Sequence, residues 1–178
     1  MLSVIRIIDT RSAMLPDDVF RHRLEQTLVE IEASAARLRE CAAVSVTAKP
    51  NYWRAIVMPN LAAACPFDLM ICADQTFNLK LANEAYTRLP VDRFELFPHL
   101  VRAIEAGQVE KISKYSTMTD ALVAVAMRVA LAPGWDWIEE RRLSPASTDE
   151  EWRTHRYLPY RRSPENTRVS GANILADA

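Results

Sequence analysis

A stretch of about 25 residues, from Asp17 to Cys41, constrains the fold most, because its apolar residues recur at steps of three and four. The positions that would share one helical face are Phe20, Leu24, Leu28, Ile31, Ala35, Leu38 and Cys41. Asp17 and Asp18 open the stretch, where the positive end of a helix dipole favours negative charge. The pattern predicts an amphipathic helix ~38 Å long, whose apolar stripe requires a second layer to cover it.

Short runs of β-branched and alternating residues follow this helix and indicate strands. They cover residues 43–47, 53–58, 67–73 and 77–82, and the last run could continue through Tyr86. In that run, Phe77, Leu79 and Leu81 alternate with polar or small residues, which is typical of a strand with one buried face. The four runs predict an antiparallel meander. A further short strand is predicted at Ser3–Ile8.

The second half of the chain combines one more helix with more strands. Pro98 is tolerated as a first helical residue, and Gly107 is typical of the position just after a helix, so Pro98–Ala106 predicts a helix. Gln108–Thr117 and Trp135–Arg141 are candidate strands.

Residues 121–131 fit either type of element. In a helix, Asp120 would be the cap and Pro133–Gly134 would end it. In a strand, one face would carry Val123, Val125, Met127, Val129 and Leu131. Alanine is the best helix former and a poor strand former, so the alanine content favours the helix.

These elements predict an α+β fold, with an antiparallel sheet of about five or six strands and the long N-terminal helix packed on one face. After Leu143 the composition changes to Ser, Pro, Thr, Asn and Arg, and the hydrophobic periodicity stops. We therefore expect one α+β domain at residues 1–143, followed by an extended or partly disordered C-terminal tail at residues 144–178.

Charge and composition argue against several functional classes. The chain carries 22 Lys and Arg against 23 Asp and Glu, so no net charge steers it toward nucleic acid or anionic membranes. Its three glycines are far apart, whereas loops that cradle phosphate need clustered glycine. The three histidines lack a second His or Cys at metal-ligand spacing. We expect neither a cofactor nor a metal.

The cysteines and the N-terminus indicate the compartment. Three cysteines without a CxxC pair are typical of a reducing environment. No signal-peptide pattern follows Met1, and the longest uncharged run has 13 residues, where a membrane span needs ~20. We expect a cytoplasmic protein without a membrane partner. Cys65, in a loop before Pro66, is the thiol expected to be most accessible, although no cation near it in sequence would activate it.

Two aromatic clusters are candidates for a ligand pocket. Trp53 and Arg54 enter one predicted strand, and Trp135 and Trp137 share a face of another. Tryptophans of this kind commonly anchor a core. The alternative is a pocket in which the aromatics supply apolar area and Arg54 orients the ligand.

The tail interleaves cations with aromatic residues. Its interface candidates are Arg153, Arg156, Tyr157, Tyr160 and Arg161. Such a segment can dock on an acidic surface of its own fold or of a second copy, can remain solvated, or can follow a nucleic-acid strand. Because the rest of the chain is acidic, docking on protein is favoured and nucleic acid is an unlikely partner.

The sequence favours a small non-catalytic binding or assembly protein that acts as a homo-oligomer, specifically a homodimer with tail contacts across the interface. The alternative is a small-molecule-binding protein or enzyme with a pocket lined by tryptophan and arginine. A third possibility is a nucleic-acid-binding protein that uses the tail.

Overall fold

A computed structural model of the chain describes residues 14–145 and 149–161. The strand predicted at residues 3–8 lies outside these ranges. The described residues form two helices and nine strands. The helices are α1 (Asp17–Leu38) and α2 (Leu96–Glu105). The strands are β1 (Ala42–Lys49), β2 (Tyr52–Pro59), β3 (Phe67–Cys72), β4 (Thr76–Leu81), β5 (Glu84–Pro90), β6 (Val109–Ser116), β7 (Leu122–Ala132), β8 (Trp135–Arg142) and β9 (Glu150–Arg156).

Helix α1 confirms the periodic pattern, although it is shorter than predicted. It buries Phe20, Ile31 and Leu38 on its apolar face. It ends at Leu38 because the next residues turn back, so that the Cys41 amide donates to the Leu38 carbonyl at 2.9 Å and β1 begins directly afterwards. Neither helix of the described ranges is long and apolar enough to cross a membrane.

Strands β1 to β5 form the first sheet, an antiparallel meander in chain order that confirms the predicted fold class. Burial alternates strictly along β2 and β3, as in Trp53, Ala55 and Val57. The predicted continuation of β4 through Tyr86 is broken, because Ala82 adopts a positive φ of 50° and turns the chain into β5. The buried face of this sheet forms most of the core.

The second sheet has the order β8-β7-β6-β9 and is also antiparallel. The helix favoured for residues 121–131 was wrong, because those residues form the central strand β7. Pairing on both sides satisfies the β7 backbone, and Ala124 and Ala126 are buried beneath longer neighbouring side chains. Tertiary pairing therefore overrides the helical preference of alanine.

Helix α2 begins two residues before the predicted start. Pro98 is its third residue, where the backbone lacks an intrahelical acceptor and a missing N–H costs little. Gly107 follows the helix with φ of +72°. The helix packs between α1 and β7, so it joins the two sheets.

Residues 157–161, here called the C-terminal strap, cross back from β9 to the first sheet. The Leu158 amide donates to the Ala63 carbonyl at 3.0 Å, and the Tyr160 amide donates to the Glu105 carbonyl at 2.9 Å. The strap runs so close to α2 that a Cβ at Gly107 would lie 2.4 Å from the Pro159 nitrogen. Only glycine fits there. Part of the segment expected to be an extended tail thus packs on the domain.

Candidate binding sites

Trp53 lies in a groove between α1 and the β1–β2 hairpin, which we call the α1–hairpin groove. The groove has a volume of 530 Å³, with Trp53 and Ile71 at its floor and Phe20, Leu24 and Leu28 along the helix side. The Trp53 indole N–H donates to Glu32 Oε1 at 3.1 Å, which fixes the ring. Leu24 and Leu28 remain only partly buried, so this end of the α1 stripe stays available to a ligand.

Arg54 takes no part in the groove, because neighbouring residues on a strand point to opposite faces. Its guanidinium forms a bidentate pair with Asp68 on β3, with Nε to Oδ1 at 2.8 Å. The structure therefore separates Trp53 from Arg54. Arg54 fixes the outer face of the first sheet and does not orient a ligand beside Trp53.

Trp135 and Trp137 share one face of β8, as expected, but line a different pocket. That pocket has a volume of 250 Å³ and lies between β8 and the segment from the end of β5 to the first residue of α2, including Leu89 and Leu96. The Trp135 ring packs on His99 with centroids 5.1 Å apart, and the Trp137 ring packs on Tyr86 at 5.4 Å. Trp137 is buried in the main core. The two predicted aromatic clusters thus do not form one site.

The Cys65 thiol is fully buried, which overturns its expected accessibility. Burial raises the pKa of Cys65 to about 12, so the thiol stays protonated at neutral pH. The strap covers it, since the Tyr160 hydroxyl donates to the Cys65 carbonyl at 2.6 Å. All three cysteines are free thiols. Within residues 14–145 and 149–161, no group of three or more His, Cys, Asp or Glu could hold a metal ion.

An ion triad centred on Glu84 of β5, whose side chain is buried, links the two sheets. Its carboxylate accepts from Lys111 Nζ and from Arg141 Nη2, both at 2.8 Å. Burial alone would raise the pKa of Glu84, but the hydrogen bonds and charges of the two cations outweigh it and hold the pKa below its ordinary value. The triad was missed by sequence reasoning, because no local pattern connects residues that lie far apart in the chain.

Two of the predicted interface residues lie on β9. Arg153 Nη2 donates to Asp120 Oδ1 at 2.9 Å, and its guanidinium lies over the Tyr115 ring at 4.3 Å. Arg156 Nε pairs with Glu110 Oε1 at 2.8 Å. Both arginines reach inward across β6.

The other three predicted interface residues lie in the strap. Tyr160 is buried in the core of its own chain, and Tyr157 is half-buried against that core. Arg161 pairs with Glu40 at 3.0 Å, next to the end of α1. The strap therefore docks within the molecule, as in the alternative of docking on its own fold.

Strand β9 is an edge strand exposed on both faces. Every residue from Glu151 to Arg156 is exposed, and Trp152 has 62% of its surface accessible. Lys114 Nζ lies 4.6 Å from the centroid of the Trp152 ring, which draws that ring inward. In the described part of the chain, β9 pairs with β6 on one side and with no strand on the other.

The comparisons with known proteins add no assignment to this geometry. No family model, curated protein or solved structure matches the chain. Its function must therefore be argued from its own residues.

Proposed function

We propose that this is a non-catalytic cytoplasmic protein that acts by self-association, and that β9 is the strand that meets a second copy. The observation that carries the proposal is the outer edge of β9, a seven-residue strand with six exposed residues, which pairs with no strand on that side within residues 14–145 and 149–161. An edge of this length presents unpaired N–H and C=O groups, which readily pair with another strand.

β9 carries four charged residues, but it lacks other features that commonly protect an edge strand. Its sequence is EEWRTHR, without proline or lysine, and its pairing with β6 is continuous from Glu150 to Arg156 without a register shift. The charged side chains that could cover the edge turn inward, as Arg153 does toward Asp120 and Arg156 toward Glu110. The backbone is left open to a partner.

The strap also favours association, because it holds the end of β9 in place. Tyr157 donates its amide to Val109, and Tyr160 anchors the segment in the core. A strand that is already ordered loses less conformational entropy when it pairs with a partner than a solvated tail would lose.

A non-catalytic role is supported by the state of the candidate catalytic groups. The Cys65 thiol is buried and protonated. His99 packs against Trp135, and His155 packs against Tyr157 with ring centroids 4.7 Å apart. Among the residues that the structure describes, none stands beside these groups as a partner that would activate a nucleophile or base.

Light scattering tests the proposal, with the full chain at about 50 μM, where a dimer with micromolar affinity is well populated. We expect a dimer mass for the full chain and a monomer mass for Thr154→Pro, because the Thr154 N–H points out of the sheet. Circular dichroism must show that this variant keeps its fold. A monomeric full chain would overturn the proposal.

The matched control is Ala48→Pro on β1, the edge strand of the first sheet. The Cys41 carbonyl accepts from the Asn60 amide, so alternate residues of β1, including Ala48, turn their N–H outward. We expect this variant to remain dimeric. If it becomes monomeric while Thr154→Pro stays dimeric, the interface lies on the first sheet.

A second candidate function, ligand binding, is favoured by the α1–hairpin groove. Arg21 and Lys49 stand exposed at its rim, and neither forms an ion pair with a described residue. Of the described residues that line it, Asp17 is the one that is acidic. An apolar groove with two free cations suits an amphiphilic molecule that has an acyl chain and a carboxylate head.

Tryptophan fluorescence with dodecanoate and dodecanol tests this candidate, since the two ligands differ in charge and share the chain. We expect tighter binding of dodecanoate, and loss of that preference in Arg21→Gln/Lys49→Gln. The control Arg23→Gln/Lys80→Gln removes two exposed cations outside the groove and should keep the preference. Equal affinity for both ligands in the unmodified protein would exclude the acidic ligand.

A further inference from the structure

We infer that two copies of β9 pair antiparallel about a two-fold axis that lies midway between the two copies of Arg153. The pairing joins the second sheet of one subunit to the second sheet of the other, as one continuous eight-stranded sheet. The inference deepens the proposed self-association and rests on it. It adds the partner strand, its direction and its register.

The direction of the backbone groups in β9 is fixed by its two ends. The Asp149 carbonyl accepts from the Thr117 amide at 3.1 Å, and the Tyr157 amide donates to the Val109 carbonyl at 3.0 Å. Odd-numbered residues of β9 therefore hydrogen-bond toward β6. By alternation, the even-numbered residues turn their N–H and C=O groups to the free edge. These are Glu150, Trp152, Thr154 and Arg156.

The register follows from matching these four residues with their equivalents in a second copy. A two-fold axis perpendicular to the sheet keeps each face continuous, so it must lie midway between the two copies of one residue of β9. An axis at Arg153 places Glu150 opposite Arg156 and Trp152 opposite Thr154, which pairs every outward residue. An axis at Trp152 would leave Arg156 opposite a residue outside β9. The Arg153 axis therefore makes the most hydrogen bonds.

Charge complementarity supports the same arrangement. β9 begins with Glu150 and Glu151 and ends with His155 and Arg156. In the antiparallel pairing, Glu150 faces Arg156 of the partner subunit, and Glu151 faces His155 of the partner subunit. Glu150 and Arg156 also pair with Arg142 and Glu110 of their own chain, at 3.2 Å and 2.8 Å, so the partner subunit adds a second opposite charge to each. Opposite charges directly across two strands stabilise a sheet. A parallel pairing would place like charges side by side.

The central contact places one Arg153 opposite the other, and the structure already neutralises both. Each guanidinium donates to Asp120 at 2.9 Å and to Glu151 at 3.2 Å. Each also lies over its own Tyr115 ring, away from the axis. The like charges at the axis are therefore compensated within each subunit.

Disulfide trapping tests the register. Arg153 occupies a non-hydrogen-bonded pair at the axis, where opposing Cα atoms are ~4.5 Å apart, within the range that a disulfide bridges. We expect Arg153→Cys to form a covalent dimer under mild oxidation. Trp152→Cys and Thr154→Cys should not, because each lies diagonal to its own equivalent at ~7–8 Å. The unmodified protein, with its native thiols, is the background control.

The outcomes separate this inference from the proposed function. If Trp152→Cys cross-links in preference to Arg153→Cys, the register is overturned while self-association through β9 stands. If none of the three cross-links although the protein is a dimer, the dimer forms elsewhere and the β9 pairing is overturned. If the protein is a monomer, the proposed function fails and this inference fails with it.

A charge exchange tests the complementarity. Glu151→Lys places a cation opposite His155 of the partner subunit and should weaken the homodimer about 3–10-fold, as should His155→Glu, which faces Glu151. An equimolar mixture of the two variants sets the new lysine opposite the new glutamate on one side of the axis and keeps Glu151 opposite His155 on the other. Its apparent Kd should return toward that of the unmodified protein. A mixture no tighter than either variant alone would overturn the charge pairing.

Discussion

The first sheet and β9 place their side chains in opposite ways. Along β2, buried and half-buried residues alternate strictly, because one face meets the core. Along β9, both faces are exposed, and the residues are ordered by charge, acidic at one end and basic at the other. Burial on one face requires apolar residues with a period of two, whereas a strand exposed on both faces has no such requirement. Hydrophobic periodicity therefore reveals the first kind of strand and not the second.

The largest expected effect comes from a charge placed under the first sheet. Ile31 has 1% of its surface exposed, so Ile31→Asp would bury an unpaired carboxylate and cost at least ~4 kcal/mol of a total near ~5–15 kcal/mol. We expect an unfolded or barely folded protein by circular dichroism. Val29→Asp, at a position 69% exposed on the same helix, should melt normally. Similar melting of both variants would contradict the assigned helix face.

Two tryptophan truncations sharpen the comparison directly. Trp137 is 8% exposed and packs on Tyr86, so Trp137→Ala should destabilise the fold by ~3–5 kcal/mol in urea denaturation. Trp152→Ala on β9 should cost less than ~1 kcal/mol when measured on dilute protein. If both variants lost several kcal/mol of unfolding free energy, the Trp152 side chain on β9 would stabilise the fold as much as Trp137 on β8 does, which would contradict this comparison.

Removal of the carboxylate between the sheets should have a smaller effect that depends on pH. Glu84→Gln leaves Lys111 and Arg141 without their shared partner, and both are partly solvated, so we expect a loss of ~1–3 kcal/mol at pH 7. The folded pKa of Glu84 is lowered, so its stabilisation is present above the unfolded value of ~4.3 and is lost as pH falls through the folded pKa. The variant and the parent should therefore converge in acid. A gap that persists unchanged below the folded pKa would contradict the ionised triad.

The smallest effect concerns thiol reactivity and leaves stability unchanged. Burial raises the pKa of both thiols, but Cys72 is only half-buried whereas Cys65 is fully buried, so a thiol reagent should modify Cys72 in the folded protein well before Cys65. All three thiols should react after denaturation without reductant. The recovery of one thiol would reveal a disulfide.

Most of the first sheet and α1 could be predicted, because burial of one face requires apolar residues at regular intervals in the sequence. The stripe that contains Phe20 and Ile31, and the alternation of Phe77, Leu79 and Leu81, each indicate one apolar face. Strand β7 could not be predicted from such an interval, because both of its faces are buried and small alanines fit between neighbouring strands. Its local preference points to a helix, and only pairing with β6 and β8 decides otherwise.

The candidate site shows what a sequence pattern leaves undetermined. Trp53 and Trp135, both predicted as pocket candidates, line separate cavities, since the sequence shows which strand a residue is on and not which strands meet. Arg54 was placed beside Trp53, although neighbours on a strand point apart. The inward turn of Trp152 and Arg153 depends on Lys114 and Tyr115 in β6, which no local pattern connects with them.

The position of the strap near the end of the described chain determines when the core can close during synthesis. Cys65 and Tyr160 are 95 residues apart in the chain, yet the tyrosine hydroxyl closes directly on the cysteine carbonyl. During synthesis on a ribosome, the meander from β1 to β5 emerges well before Tyr160 does. Contacts between residues so distant in sequence form slowly. Until Tyr160 has emerged, the flank of the core that the strap covers in the folded protein therefore stays open to water.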